Sequence, residues 1–532
     1  MNSNKLSSIL NRIFHIVFFV LFGIVFFGII FSGYENNKIG YSATERTYVV
    51  IFFIVLLLIF AAIYILLQKY SNRSRLNSKP KISDKQVVIF IFASVGVLLV
   101  LQLLAGYFLQ MNPVTDMQYI ERYSRDFGAT GNFDLIQKDC DNGSVYLIRY
   151  PNNLALVFLL SAVYRLCNLV FGYVPSLVPV IINAFAINVS VLLTVFTARK
   201  IFGNRKAIFV LLLCFLFAPF YTYVPYYYTD SLSLPFCIGA IYLFVVAVNS
   251  EKKIQKYILL ALSGVLVFLG YKLKGSLIIL LAAALIYVFL KMNIKQIACI
   301  ALAVIAGFGS IFAIYAAAFN SLDIITEEQS DRYEYPYTHW VMMGLKGLGH
   351  YNLKDSNYTN SFKSKAEKQE ANIKEIKNRI DNFGPDGLTE HIFNKAVWTW
   401  EDGTYYISHH IEDCKRENIL HSFVLTEGEN HLYFFIYSNG FQLLLIFLML
   451  MSILKGCIKP DVNILTLLKG IIFAAFIFFL IWETRSRYLY NFTPLFILVA
   501  VDGLDFVISG FRSIIKRISG KNSDKYNHYK TS

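Results

Sequence analysis

Apolar runs of membrane-spanning length alternate with short polar stretches along most of the chain. They lie near 13–33, 48–67, 87–108, 176–198, 206–222, 231–249, 256–271, 275–291, 296–318, 432–455, 463–482 and 489–509. A hydrocarbon core about 30 Å thick takes about 20 such residues as a helix, so the pattern predicts twelve spans. One more run, 152–172, has similar length and character. The basic stretch Met1 to Arg12 precedes a run too long for a signal-peptide core, and no small-residue cleavage site follows. A retained first helix is therefore expected.

Charge decides how 152–172 is read. The 69–86 loop carries Lys69, Arg73, Arg75, Lys79, Lys81 and Lys85, which predicts a cytoplasmic position. The third span then delivers 109–151 to the outside. If 152–172 also crossed, Arg199, Lys200, Arg205 and Lys206 would face outside. So would Lys252, Lys253 and Lys256, and the tail with Arg512, Lys516, Arg517 and Lys521. If it does not cross, all of these fall inside. The expectation is a helix lying in the outer leaflet, twelve crossings, and both termini cytoplasmic.

The predicted fold is thus an all-α polytopic membrane protein with a helical interfacial first outer loop and a mostly helical outer domain. Its parts are 1–86, two N-terminal spans and a basic cytoplasmic loop; 87–318, a transmembrane core with the outer loop 109–175; 319–431, an extracytoplasmic domain; 432–511, the C-terminal spans; and 512–532, a basic cytoplasmic tail. Within the outer domain, Lys363 to Asn382 alternates charges at helical spacing with Ile373, Ile376 and Ile380 as a thin apolar stripe.

Composition agrees. Hydrophobic residues are 56% and charged residues 16% of 532 positions, against about 45–50% and about 25% in soluble domains. The net charge of +14 does not point to nucleic acid. Residues 320–430 hold twelve Lys and Arg against nineteen Asp and Glu, so the basic excess lies in short loops between apolar runs. Seven cysteines show no metal-binding spacing. Cys167, Cys214, Cys237 and Cys299 lie in apolar segments. Cys140 and Cys414 would both face outside, where a disulfide between them is open.

Charges at span ends are informative because the bilayer makes them costly. In Asn112-Pro-Val-Thr-Asp116, Pro113 stops the third helix and Asp116 follows at the membrane surface. In Pro225-Tyr-Tyr-Tyr-Thr-Asp230, Asp230 stands before the next apolar run. Helix capping explains either carboxylate locally, and the tyrosines suit an interfacial belt. Trp482-Glu-Thr-Arg-Ser-Arg-Tyr488 puts Arg485 and Arg487 on a tight outer turn, against the positive-inside trend. Arginine matches phosphate geometry; pairing with Glu483 or snorkelling to headgroups is the plainer reading. Tyr271-Lys-Leu-Lys274 offers Lys272 and Lys274 at another outer turn, for a second anionic group or for headgroups. In the outer domain His339 is a proton carrier or a structural histidine. Lys395, Trp398, Trp400, Glu401 and Asp402 form a cluster that suits a sugar face or an ordinary loop core. The chain has no P-loop, no Gly-x-Ser-x-Gly nucleophile and no zinc triplet. It also lacks the charged span centres of an ion pathway.

Several strings, in order, resemble the GT-C superfamily of polytopic glycosyltransferases that use polyprenyl-phosphate sugars. They are Arg149-Tyr-Pro-Asn-Asn153, Tyr228-Thr-Asp230, His339-Trp-Val-Met-Met-Gly344, Lys395-Ala-Val-Trp-Thr-Trp-Glu-Asp-Gly403 and Trp482-Glu-Thr-Arg-Ser-Arg-Tyr488. Protein O-mannosyltransferases and aminoarabinose transferases belong to that superfamily, and the chain looks like a bacterial cell-envelope branch of it. The likeness runs over roughly 87–509, with two spans ahead of the first outer loop where many members have one. It implies a GT-C-like bundle and an inverting, hexosyltransferase-type transfer at the outer face of the cell membrane. Asp116 would be the general base for an acceptor hydroxyl. Arg485, Arg487 and Lys272 or Lys274 would stabilise the departing lipid phosphate. Asp230 would hold acceptor or sugar, with Tyr488, His339, Lys395 and Trp400 as further substrate-binding candidates. Some members use a divalent metal; two carboxylates are too few to assign one, and no cofactor is certain. The implied partners are a polyprenyl-phosphate-linked sugar donor, a wall polysaccharide or teichoic acid acceptor, the bilayer, and a separate glycosyltransferase making the donor. A transporter or flippase of a lipid-linked saccharide, a polysaccharide polymerase or ligase, and a non-enzymatic scaffold remain open.

Overall fold

The structure, a computed structural model, describes residues 3–31, 42–76, 83–322, 324–411 and 413–518. Lys79, Lys81 and Lys521, used above for orientation, lie outside the described residues, as do the side chains of Lys69, Arg73, Arg75, Lys516 and Arg517. Among the described residues every regular element is helical, apart from an isolated antiparallel bridge between Met111 and Cys414. Eleven of these helices are long and apolar enough to cross a membrane, and Gly275–Lys291 is a shorter apolar one. The run expected over 206–222 is two pieces, Asn204–Leu216 and Pro219–Thr222. Phe217 between them is extended, and the Pro219 ring cannot continue a preceding helix.

Pro151–Phe171 is one of the eleven by length and composition, yet its contacts return it to the end of the bundle where it starts. At its beginning Asn153 receives the Tyr228 hydroxyl at 3.2 Å. Just beyond its end, the Gln110 amide donates to the Ser176 carbonyl at 3.1 Å, at the close of the helix Asp84–Phe108. The 18 residues Leu154–Phe171 cover about 27 Å at 1.5 Å per residue, so they must run across the bundle end rather than through it. This flat helix packs on Thr115–Thr130: Tyr164 donates to Glu121 at 2.5 Å, and Gly128 lies against Tyr164 with no room for a Cβ. Its other side shows Leu166, Leu169, Val170 and Phe171, all at least 60% exposed.

The remaining long helices sort into two ends. One end collects Asp116, Asp230, Lys274 and Arg487. The other holds the ion pairs Lys455–Asp502 at 2.6 Å, Lys206–Asp505 at 3.0 Å and Arg199–Asp84 at 3.6 Å. Close approaches of small residues seat the helices: Gly264 and Gly307 lie against the backbones of Val304 and Ala261.

The 319–431 segment is helical in several pieces, the longest being Lys365–Glu401. Gly384, at φ 59°, breaks this helix just before Pro385, a conformation that suits glycine. Its second half descends along the first helix, with Trp400 edge-on to Phe22 at 4.8 Å and beside Phe496. Its first half is tied by Arg379 to Asp355 through two hydrogen bonds of 2.7 and 2.8 Å, and Lys346 adds a third at 2.9 Å. Burial alone would raise the Asp355 pKa; the bonds from Arg379 and Lys346 outweigh it and hold the carboxyl below its usual value. Such a group stabilises the fold above its unfolded pKa, and the contribution is lost as pH falls through the folded value, below about 4. Asp355→Asn is expected to destabilise this segment by about 3–5 kcal/mol at neutral pH. Limited proteolysis within 319–431 should show it, and the difference from the parent should shrink in acid.

Cys140 and Cys414 are both free thiols, so the disulfide left open above does not form. The Cys140 sulfur instead receives a Gln329 N–H at 3.5 Å.

Candidate functional site

Four separate span ends meet at one place. The helix Asp84–Phe108 stops before Pro113, and Thr115–Thr130 starts with Val114 at its cap, without a side-chain cap bond. Capping therefore does not explain Asp116. Its carboxylate takes the Tyr146 hydroxyl at 2.8 Å on Oδ1, and the Arg487 guanidinium lies 3.6 Å from Oδ2. Thr115 just before it has φ 49°, a left-handed conformation rare for a β-branched residue. Strain of this kind gathers at functional sites, and here it aims the first turn of the helix.

Behind Asp116 runs a buried relay. Asn153 donates to the Tyr146 hydroxyl at 2.8 Å and accepts from Tyr228. Burial, with Asp116 adding to it, raises the Tyr146 pKa far above its usual value. Tyr146 therefore stays a donor and fixes one carboxylate oxygen while the other faces the site.

Besides Asp116, Arg487 is held by two neutral partners. One Nη1 N–H points to the Tyr226 hydroxyl at 3.2 Å and to His410 Nε2 at 3.3 Å. His410 stacks on Tyr226 at 4.4 Å. Burial first, then Arg487 and Arg485, pushes its pKa well below the ordinary histidine value, so its Nε2 accepts. The Arg487 Nε is buried with no hydrogen-bond partner.

Asp230 does not cap either; its helix Thr229–Leu232 begins from Tyr228 without a side-chain cap bond. It pairs with Lys274 at 2.6 Å, with Asp230 fully buried. Its Oδ2 has no partner, and a buried unsatisfied oxygen is costly. Burial lowers the Lys274 pKa and Asp230 opposes the shift. The same ammonium sits 4.1 Å from the centre of the Tyr488 ring, whose hydroxyl donates to Glu483 at 2.7 Å. Burial raises the Glu483 pKa against that bond.

The 482–486 turn is set by the 319–431 segment. Glu483 N–H donates to Trp340 O at 3.0 Å, Thr484 N–H to Gly349 O at 2.8 Å, and Ser486 Oγ to Asp402 at 2.7 Å. Lys395 binds Gly344 O and Leu480 O at 2.8 and 3.0 Å. Burial pushes its pKa down to about 7, with Glu483 opposing. Gly344 lies so close to Ile481 O and Lys395 that a Cβ would clash.

Of the residues singled out from sequence, Asp116, Asp230, Lys274, Arg487 and Tyr488 come together. Arg485 stands at the rim, 4.7 Å over the Tyr406 ring. Lys272 points to the neighbouring Tyr315 ring at 4.6 Å instead. Lys395 acts on backbone carbonyls behind the turn. Trp400 is packed against Phe22, Phe476 and Phe496, facing helices rather than the cluster. His339 is buried and bonded to Thr359 at 2.7 Å; burial, aided by Arg149 and Lys368, takes its pKa down to about 3, so it is neutral. Sequence reasoning did not single out Tyr146, Asn153, Tyr226 or His410. Asn153 and Tyr226 sit in quoted strings, but nothing local marks their roles.

The donor set does not fit a resident divalent ion. Asp116 and Asp230 are each faced by a cation, and the described residues contain no group of three His, Cys, Asp or Glu placed to hold one.

A family profile described as conserved hypothetical integral membrane protein matches residues 6–505. No curated protein matches the chain. Among solved structures, ArnT from Cupriavidus metallidurans bound to undecaprenyl phosphate is similar over 82% of this chain and 81% of that one. The identity is 11% and the TM-score 0.33, too loose a superposition to transfer any residue role.

Proposed function

We propose that this chain, which belongs to the conserved hypothetical integral membrane protein family, is a glycosyltransferase. It takes a single sugar from a polyprenyl-phosphate carrier and passes it to a cell-envelope acceptor at the extracytoplasmic face. The observation that carries this reading is one pairing: the Asp116 carboxylate, one oxygen fixed by Tyr146, beside a half-buried Arg487 whose Nε has no partner. A base and an anion holder stand side by side where the spans end.

The chemistry follows from the placement. A carboxylate is a weak base, so its position counts for more than its basicity. Asp116 takes the proton of the acceptor hydroxyl while that oxygen attacks the anomeric carbon. The bond from that carbon to the phosphate oxygen breaks, and the lipid phosphate leaves with the electron pair. Arg487 and Lys274 face the developing charge from fixed positions, which needs no reorganisation during reaction. Asp230, fully buried, holds the Lys274 ammonium in place behind the phosphate. The outward orientation rests on Arg199, Lys200, Arg205, Lys206, Lys252, Lys253 and Lys256, which lie at the opposite end of the bundle.

The test is direct. Purified protein in detergent is offered polyprenyl-phosphate hexoses, pentoses and aminosugars, with envelope extracts as acceptor. Products are identified by mass spectrometry. Transfer from at least one lipid-phosphate sugar is expected. Transfer only from preformed oligosaccharide carriers would replace this reading with a polymerase or ligase. Sugar movement across vesicles without any new glycosidic bond would replace it with a transporter.

A further inference from the structure

The two sides of the site differ in chemistry. Towards the helix Lys253–Leu273, the walls are Lys274 and Tyr488, with exposed apolar residues such as Tyr271 and Phe312 beyond them. That is the side on which a lipid phosphate can arrive. Towards the 319–431 segment, the walls are aromatic. Tyr119 stacks on Tyr146 at 4.2 Å, Tyr146 meets Tyr150 at 5.1 Å, and Tyr150 meets both Trp340 at 6.0 Å and Tyr335 at 5.7 Å. The row starts at the tyrosine that bonds Asp116 and runs outward. Tyr119, Tyr146, Tyr150 and Trp340 are all partly exposed along it.

A cation accompanies the row. The Arg149 guanidinium lies 5.4 Å over the Tyr335 ring, and its Nε is buried with no hydrogen-bond partner. Among the described residues no carboxylate forms an ion pair with it. A buried N–H without an acceptor is costly to keep, and the rest of this half-buried guanidinium is open to a ligand. An anionic oxygen meets its planar geometry well.

We propose that this row is the acceptor subsite, and that the acceptor is a saccharide bearing an anionic group. The proposal rests on the glycosyltransferase reading and deepens it. Flat rings present an apolar face to the C–H face of a sugar while leaving its hydroxyls to water. Arg149 holds the carboxylate or phosphate of a unit away from the reacting one. The next hydroxyl then lies at Asp116, and the donor keeps the Lys274 side to itself.

Binding is measured on the full-length detergent-solubilised protein, by saturation-transfer NMR and titration, with three probes. They are oligogalacturonate, a maltooligosaccharide of equal length, and inorganic phosphate. Oligogalacturonate is expected to bind at least tenfold more tightly than the neutral chain. Arg149→Gln should erase that preference and leave neutral binding as it was, while Arg149→Lys keeps part of it. Trp340→Leu should weaken both saccharides about tenfold, and Trp340→Phe should largely restore them. An unchanged preference in Arg149→Gln, no loss in Trp340→Leu, or phosphate competing as well as the saccharide would each overturn the subsite. The readout needs no turnover, so the two readings fail separately. Saccharide binding without transfer from any donor would sink the enzyme and leave the subsite. Transfer whose acceptor KM ignores both variants would do the reverse.

Discussion

Asp116→Asn is expected to insert and fold as the parent does and to lose transfer by about 10²–10⁴-fold, the usual contribution of a positioned general base. The exchange keeps shape. The amide oxygen still accepts from Tyr146, so the relay through Asn153 to Tyr228 persists. What disappears is the atom that can take a proton. The check is the transfer rate beside the thermal midpoint in detergent. A variant with parental rate would end the base assignment, whereas a collapsed midpoint would be a folding effect. Asp116→Glu serves as the second arm: it retains the base but moves it by one methylene, and misplacement alone is costly.

Arg487→Lys is the second large effect, with an expected loss of about 10²–10³-fold in kcat. The charge is kept, but the planar fork is not. Lysine cannot meet Tyr226, His410 and a phosphate at once, as the guanidinium is placed to do. Arg485→Lys should cost far less, because Arg485 lies at the rim against Tyr406. Equal losses at the two positions would mean that the turn binds headgroups in general. A loss at Arg487 confined to donor KM, with kcat untouched, would mean uniform binding of the phosphate in place of stabilisation of its departure.

The apolar runs were readable because the bilayer imposes a length and forbids unpaired backbone. The exceptions have local causes. Pro219 divides one run into a helix too short to count by length, and the flat helix has the composition of a span without the path of one. Asp116, Asp230, Lys274 and Arg487 were reachable because each charge stands at a span end, where it needs a reason. His410 and Tyr146 were not, since a neutral acceptor for an arginine and a donor to a carboxylate are made by residues 77 and 30 positions away in sequence. Trp400 and Lys395 were ambiguous for another reason. Aromatic and cationic residues in a polar segment suit a sugar, and only the descent of Lys365–Glu401 along the first helix turns Trp400 into packing and Lys395 into a clasp on backbone carbonyls.

The flat helix Leu154–Phe171 has its own consequence. It and Thr115–Thr130 ride together at one surface, with Leu166, Leu169 and Phe171 turned out as a keel. Asp116 and Arg487 are therefore tied to the same end of the bundle as this exposed apolar face. A thicker bilayer would draw the far ends of the spans away and leave the distance from Asp116 to Arg487 unchanged. If the chain takes sugar from a prenyl-phosphate carrier as proposed, donors whose tails differ in length are expected to be used at equal rates.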